Sequence, residues 1–544
     1  MSAEEAAGWI DLPTGCVRRD QFVVLGWALF TPGTTARVDV KLDGATVGSA
    51  RLGLPRPDVA AAYPANPAAE VAGFELHVLT SELPSEADTF SVTARAVSLD
   101  GRELELVAGE FLQLEPDIQP VVDPDGRGAR LRARVPAAAP RRVRRERPRL
   151  LAVAHSLDEG GAQRYLFEQL VRLKDDHGFG PTVLAPAPGV YGERLETAGI
   201  GVRVDRHWPG NDTDAYEDAV LDLVHWAAPA EYDLVLVNTL LPFIGGDLAS
   251  RLGVPFAWSL HDSYDLSAWW IKAHGGDRGS GSAYVRSRAV EALRSAALTL
   301  FPGVATREFY NPYVDPDRAL VMPVGRELEG LAAARARPAD ASLRERLGWR
   351  EDDFMVVCLA IVDQPLKAQA SLVQALAAVR DDHPHVRVAL VGDTPSEYSA
   401  ALHRLVERSD LGENVHFEPV VSAPEEWLLA ADLFVLPSDV EALPISMLEA
   451  MALGTPVLAS RIFGIAEVLK EGWTGWMCEP NDVEALASGL SRVLSLPAAD
   501  RSAVAERARS YVEKNHSAEG YADSLAQLLG GLTHVGPRQQ EGPG

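Results

Sequence analysis

The residues richest in chemistry lie in DLFVLPSDVEALPISMLEAMALGTPVLAS, residues 432–460. An apolar strand ends there at Pro437, a short loop carries Glu441, Pro444 marks a helix start, and Glu449 follows about one turn inside the helix. The first N–H groups of a helix have no intrahelical acceptor and suit an anion. Backbone around Ile445 and Ser446 is therefore placed to meet a phosphate. Glu449 is placed to accept hydrogen bonds from vicinal hydroxyls, and a charged acceptor makes the stronger bond. One glutamate alone would only complement the helix dipole; two acids in one strand–loop–helix favour binding. A second group is SLHDSYDL, where His261 is followed by Asp262 and Asp265. It reads as a metal cluster or as a structural histidine.

These groups must be held by alternating strands and helices. From Leu150 the runs LLAVAH, PTVLAPA, VRVDR, DLVLVN, FAWSL and LTLFPG have the continuous apolar character of buried parallel strands, and the amphipathic GAQRYLFEQLVRLKDDHG follows the first of them. A second series, FMVVCLAIV, VRVALVG, NVHFEP, DLFVLPS and TPVLAS, alternates with SLVQALAAVRDDH, YSAALHRLVERS, EEWLLAA and ISMLEAMALG. Two doubly wound α/β units in tandem are expected to face a cleft at the carboxyl ends of their strands. The first part of the chain differs. Residues 21–30, 37–42, 46–52, 73–78, 89–97 and 103–114 read as short strands, with Asp43-Gly44 as a hairpin turn, giving a small all-β sandwich. The expected domains are 1–115 (accessory β-sandwich), 116–149 (linker), 150–325 and 326–510 (two Rossmann-like domains), 511–535 (terminal helices packing back) and 536–544 (disordered tail).

Composition narrows the function. The chain has 544 residues with 51 Lys and Arg against 77 Asp and Glu, a formal charge of −26. A surface this acidic repels nucleic acid, which is excluded as a partner. The acidic start MSAEEAAGW is unlike a signal peptide, and no apolar run reaches the ~18 residues of a membrane span. Three cysteines (Cys16, Cys358, Cys478) stand far apart, without disulfide or zinc spacing. These features predict a cytoplasmic protein. Against the acidic background, ten arginines and one acid lie between Arg127 and Arg149. That segment reads as a solvated linker or as a basic patch that holds an otherwise acidic protein to anionic lipid or an acidic partner.

Glu441 and Glu449 have E-x7-E spacing, and the segment resembles retaining glycosyltransferases of the GT-B fold, glycosyltransferase family 4. SLDEGGAQRYLFEQL, with Gly160 and Gly161, resembles the family's glycine loop; MPVG at 322–325, LVGDT at 390–394 and GWTGWMCEPND at 472–482 also fit. The resemblance spans about 150–532. It implies that Lys367, in DQPLKAQASLVQAL, holds the diphosphate of a nucleotide-sugar and that Glu449 binds the ribose. Glu441 would meet the donor sugar, with backbone of Leu443, Pro444, Ile445 and Ser446 around sugar and diphosphate, and His261 near the sugar. Gly160 and Gly161 would let backbone approach the phosphates or the acceptor. Independently of the family, cleaving a sugar–phosphate bond leaves charge on the diphosphate, which a preorganised lysine and N–H dipoles stabilise. A lysine and a helix N-terminus at this spot point to a metal-independent route with no cofactor. The implied function is transfer of a sugar from a UDP- or GDP-sugar to a glycan or lipid-linked acceptor.

Several residues depart from the family pattern. Ala360-Ile361-Val362-Asp363 lacks the basic residue expected before the lysine, Ala368 replaces a glycine after it, and Phe463-Gly464 replaces paired glycines. Arg326 and Arg461 are the candidates to supply the missing cation. The departures motivate a rival reading, a non-catalytic glycan-binding or partner-stabilising subunit; a sugar-nucleotide epimerase of the same fold is a nearer one. Trp269 and Trp270 would stack on an acceptor sugar or anchor the helix that follows. GWAL, LPRPDVAAAYP and GFEL at 26–29, 54–64 and 73–76 resemble a β-domain attached to bacterial glycosyltransferases; the two resemblances imply a glycan-binding or assembly module at 1–115, an acceptor domain at 150–325 and a donor domain at 326–510.

Overall fold

A computed structural model describes residues 6–12, 16–18, 23–78, 89–108, 112–115, 147–205, 212–264, 266, 280–336 and 342–534. Most of the arginine-rich segment, Asp265, Trp269, Trp270 and the tail from 535 lie outside the described residues. The chain forms two compact units: one of Met1–Ile118 with Leu328–Lys514, the other of Gln119–Glu327 with Asn515–Gly544.

The second unit holds a seven-stranded, all-parallel sheet in the order Gly201–Val204, Gly180–Ala185, Arg149–Val153, Leu234–Asn238, Phe256–Ser259, Leu298–Phe301, Ala319–Val321. Its central strands are wholly buried because helices cover both faces, which explains their unbroken apolar runs. The terminal helix Ala518–His534 belongs to this unit, where the Arg326 N–H donates to the His516 carbonyl at 2.8 Å.

The first unit holds the second parallel sheet, six strands in the order Val415–Pro419, Val386–Asp393, Phe354–Val362, Leu433–Leu436, Val457–Ser460, Trp476–Cys478. Both sheets are doubly wound: the first strand sits centrally, flanked by the second on one side and the fourth on the other. Chain direction outward from the sheet reverses between the first and fourth strands, and that switch point is where such sheets bind ligands. Two Rossmann-like sheets of this kind are the GT-B arrangement.

The N-terminal residues form a small all-β module in the first unit. Ala6–Leu12, Val23–Phe30, Gly73–His77 and Arg51–Leu54 make one four-stranded sheet, and Glu103–Val107, Val92–Ser98, Thr35–Leu42 and Ala45–Ser49 another. Asp43-Gly44 turns the expected hairpin, with φ of 47° and 82°. The run 46–52, read as one strand, breaks at Ala50, and its two halves join different sheets. A strand at Ala6–Leu12 and short helical turns at Pro57–Ala62 and Pro67–Val71 were not foreseen. The module shares its interior with the parallel-sheet domain. One apolar cluster runs from Val24, Val40 and Phe74 to Leu372, Leu376 and Val483.

Gly392, in the LVGDT segment, sets the spacing of the first two strands of this sheet. It has φ of +116°, and a Cβ there would lie 2.6 Å from the Ala360 carbonyl oxygen. Gly392→Ala adds both a backbone strain and a clash with main chain, so it should destabilise the first unit by about 1–3 kcal/mol. The expected readout is a lower urea midpoint of the first unfolding transition followed by tryptophan fluorescence.

Candidate active site

Lys367 ends the short 3-10 turn Pro365–Lys367, directly after the first strand of the six-stranded sheet. Glu441 lies in the loop after the fourth strand, Leu433–Leu436. These strands pair side by side, Val356 with Leu433 and Val357 with Phe434, so their following loops meet at the switch point. There the Lys367 ammonium donates to Glu441 Oε1 at 2.5 Å. Ser438 Oγ donates to the same oxygen at 3.0 Å, and the Asp439 N–H donates to the Leu366 carbonyl at 3.0 Å. The two loops are thus tied by main chain as well as by the ion pair. Lys367 remains 32% exposed and Glu441 12%, which leaves the ammonium open to an incoming anion. Beneath them Cys358 is buried, and burial pushes its thiol up to about 12, so it carries no thiolate chemistry.

Pro444 caps the helix Ile445–Leu453, and Gly454, at φ +80°, ends it. The first bond of the helix is Leu448 N–H to the Pro444 carbonyl, so helix geometry leaves the N–H groups of Ile445, Ser446 and Met447 without intrahelical acceptors. Leu443 is buried, and Glu449 is buried one turn further along. The loop 441–444 is braced by Gly464, whose N–H donates to the Ala442 carbonyl at 2.8 Å. A Cβ on Gly464 would lie 2.2 Å from that carbonyl oxygen, so only glycine permits the approach.

Two departures from the family pattern appear as backbone strain. Ala368 occupies the left-handed region at φ +52°, and Phe463 has φ +33°. The backbone thus keeps the glycine-like conformation with side chains that disfavour it. Of the two candidate replacement cations, Arg326 is buried against Glu168 in the second unit, and Arg461 makes an exposed ion pair with Glu479 at 3.0 Å.

Asp439 was not singled out from sequence. Its side chain is 3% exposed and accepts from Arg51 Nε of the β module at 3.1 Å. Burial pushes its carboxyl up to about 7, and Arg51 opposes that rise. Arg51 also donates to Glu75 Oε2 at 3.1 Å. Nothing in the local sequence around Arg51 marks it, because its partner lies far along the chain.

The remaining sequence candidates lie in the second unit. Gly160 caps the helix Gly161–Asp175 with extended backbone at φ 174°, so it is not held there by a left-handed conformation. The glycine that the 155–160 loop requires is Gly189, whose Cβ would lie 2.4 Å from the Leu157 carbonyl. His155, one residue past Ala154 and its strand, hydrogen bonds with Thr239 Oγ1 at 2.9 Å, and Thr239 holds φ of +73°. His261 hydrogen bonds with Ser259 Oγ at 2.8 Å and stands edge-on to Tyr165, which itself bonds Tyr521 of the terminal helix. Asp262 accepts from the Leu240 N–H at 2.7 Å, and burial raises its carboxyl to about 6. Among the described residues no group of three or more His, Cys, Asp and Glu side chains is arranged to hold a metal.

Comparisons with known proteins identify the two parallel-sheet domains. Residues 159–329 match the model described as Glycosyltransferase Family 4, and residues 340–511 the one described as Glycosyl transferases group 1. The chain carries the two domains of a GT-B glycosyltransferase. A D-inositol 3-phosphate glycosyltransferase of Streptomyces scabiei is 29% identical over 384 residues, 65% of this chain and 83% of that one. A GDP-mannose-dependent alpha-(1-6)-phosphatidylinositol monomannoside mannosyltransferase of Mycolicibacterium smegmatis is 35% identical over 263 residues, 46% of this chain and 61% of its own. Anabaena HepE, crystallised with UDP and glucose, superposes with a TM-score of 0.60 at 24% identity, covering 70% of this chain and 99% of its own. In this glycosyltransferase the family matches cover both Rossmann-like domains and begin after the β module.

Burial and the nearby His155 lower the His261 pKa from 6.5 to about 4. The folded value lies below the ordinary one, so on acidification the unfolded chain takes up this proton first. The group's contribution to stability is complete above about pH 6.5 and is lost as pH falls towards 4. Histidine-selective NMR should show the His261 ring unchanged between pH 8 and pH 5.

Proposed function

We propose that this glycosyltransferase is a retaining, metal-independent enzyme that moves a hexose-type sugar from a nucleoside diphosphate to a glycan or lipid-linked acceptor. The observation that carries the reading is the Lys367–Glu441 pair beside the free start of the helix Ile445–Leu453, at the switch point of a doubly wound sheet. Lys367 and the N–H groups of Ile445 and Ser446 receive the diphosphate oxygens. Glu449 accepts the ribose hydroxyls. Glu441 exchanges its lysine contact for a hydroxyl of the donor sugar once the anion takes the ammonium. As the sugar–phosphate bond breaks, the electron pair goes to the diphosphate oxygen, and the lysine and helix dipole stabilise the growing charge. The lysine thereby fills the role a divalent cation takes in other transferases. His261, neutral at physiological pH, suits a hydrogen bond to a sugar hydroxyl. UDP- and GDP-sugars are the donor candidates. The Mycolicibacterium relative acts by name on a phosphatidylinositol mannoside, which supports a lipid-linked acceptor, whereas the Streptomyces relative is named for the soluble acceptor D-inositol 3-phosphate.

Lys367→Ala should lower kcat/KM for the nucleotide-sugar by about 100-fold or more, the usual loss for one preorganised charge stabiliser. Glu449→Ala should act mainly on donor KM. Anomeric analysis of the product by NMR should show retention. The strained Ala368 turn favours one second reading, a subunit that binds nucleotide-sugar without turning it over. Calorimetric binding with no product in the presence of acceptors, and no effect of Lys367→Ala on any product, would establish that reading instead. Release of an epimerised nucleotide-sugar without acceptor would establish the epimerase.

The basic segment between Arg127 and Arg149 supports attachment to an anionic surface at the inner membrane face. No helix among the described residues is long and apolar enough to cross a membrane. Phosphatidylglycerol vesicles should sediment the protein at low salt and release it near 0.5 M NaCl, where screening shortens to a few ångströms. Neutral phosphatidylcholine vesicles should not bind it.

A further inference from the structure

The β module meets the parallel-sheet domain along one continuous face, and one contact on that face differs from the others. Elsewhere on it, buried Glu70 is held by Arg404 and Arg408, Arg37 reaches Asp482 at 3.2 Å, and Asn481 donates to the Ser49 carbonyl at 3.1 Å. None of these partners lies in the 438–441 loop. The strand Arg51–Leu54, in contrast, lies against the lysine turn. Gly53, at φ +88°, lets it approach so closely that a Cβ there would stand 2.9 Å from Ala370, three residues past Lys367. From this strand Arg51 donates to Asp439, and its second nitrogen is fixed by Glu75 of the neighbouring strand.

Asp439 anchors the Glu441 loop. Its main chain bonds the Leu366 carbonyl beside the lysine, and its neighbour Ser438 bonds the Glu441 carboxylate. We propose that Arg51 is a positioning residue for the donor site: by neutralising and orienting buried Asp439 it holds the 438–441 loop, and with it Glu441, against Lys367. The role rests on the reading of 438–449 as the donor site. Removing Arg51 leaves a buried carboxylate without its counter-charge. Such a group turns towards water or neutralises, and either change releases the loop. The module is thereby a structural part of the donor site.

The test uses the full-length protein, with Arg51→Met, Arg51→Lys and, as a control elsewhere on the same face, Glu70→Ala. Hydrogen exchange reports the loop directly and does not require activity. Arg51→Met should raise exchange across peptides covering 438–446 by at least tenfold and lower kcat for nucleotide-sugar turnover at least tenfold. Arg51→Lys, which keeps the charge but not the two-pronged geometry, should fall between. Glu70→Ala should lower the melting temperature without moving either the 438–446 exchange or kcat. Unchanged 438–446 exchange in Arg51→Met overturns the proposal. So does loosened exchange with unchanged kcat in an active enzyme, or a kcat loss in Glu70→Ala as large as in Arg51→Met. If the loop loosens while even the unaltered protein turns over no nucleotide-sugar, the coupling of Arg51 to the loop stands and the donor-site reading fails.

Discussion

The donor-side geometry depends on the parallel pairing of Phe354–Val362 with Leu433–Leu436. Each strand ends in a loop that carries one charged group, and neither loop would find the other without that pairing. Once the strands lie side by side, the 3-10 turn and the glutamate loop emerge from the same sheet edge and Lys367 meets Glu441. The pair is partly exposed, so its net worth to stability is small. Its value lies in preorganisation: it stores a cation next to the start of a helix, in a place where two opposite charges tolerate each other until an anion arrives. Replacing the carboxylate by a diphosphate exchanges one anionic partner for a stronger one without moving the lysine.

Three backbone positions near the candidate sites carry side chains where a glycine would be relaxed: Ala368 after the lysine, Phe463 beside the glutamate loop and Thr239 beside His155. Non-glycine residues at positive φ persist only when surrounding contacts over-determine them, and they cluster at functional sites. Here the over-determining contacts are visible. Ala368 is packed between the lysine turn and its helix, and the Phe463 turn is held by the Gly464–Ala442 main-chain bond. The altered residues therefore change the energy of the turns more than their shape. Each costs of order 1–3 kcal/mol, which a domain with a large shared core absorbs.

That shared core gives the β module its place. Its two four-stranded sheets bury apolar residues together with the covering helices of the parallel sheet, so the first unit is one body built from two distant stretches of chain. Charged contacts then distribute along the interface, and one of them, Arg51 to Asp439, falls in the glutamate loop. Glu70, held by Arg404 and Arg408, is buried as well but belongs to another part of the interface. Place in the fold, not burial, is the reason one contact of many bears on the site.

Much of this was legible in the chain. Unbroken apolar runs specified buried parallel strands, their alternation with amphipathic stretches specified two doubly wound sheets, and the turn chemistry of Asp43-Gly44 specified a hairpin, because each signal arises from a local period or a local φ preference. The segment 432–460 announced a strand, a loop and a capped helix with two acids for the same reason. Long-range pairing was a different matter. No local pattern told that the run 46–52 divides at Ala50 between two sheets, that Arg51 meets Asp439, or that Gly189 is the glycine the 155–160 loop requires. Nor did it tell that Arg326 is taken up by Glu168. Trp269 and Trp270 lie outside the described residues. Sequence determined the element types, the charged groups and the order of the two domains, since these follow from side chains a few positions apart. Only tertiary structure decided which of those groups meet, since a parallel sheet and a shared core join residues whose separation along the chain carries no trace of their contact.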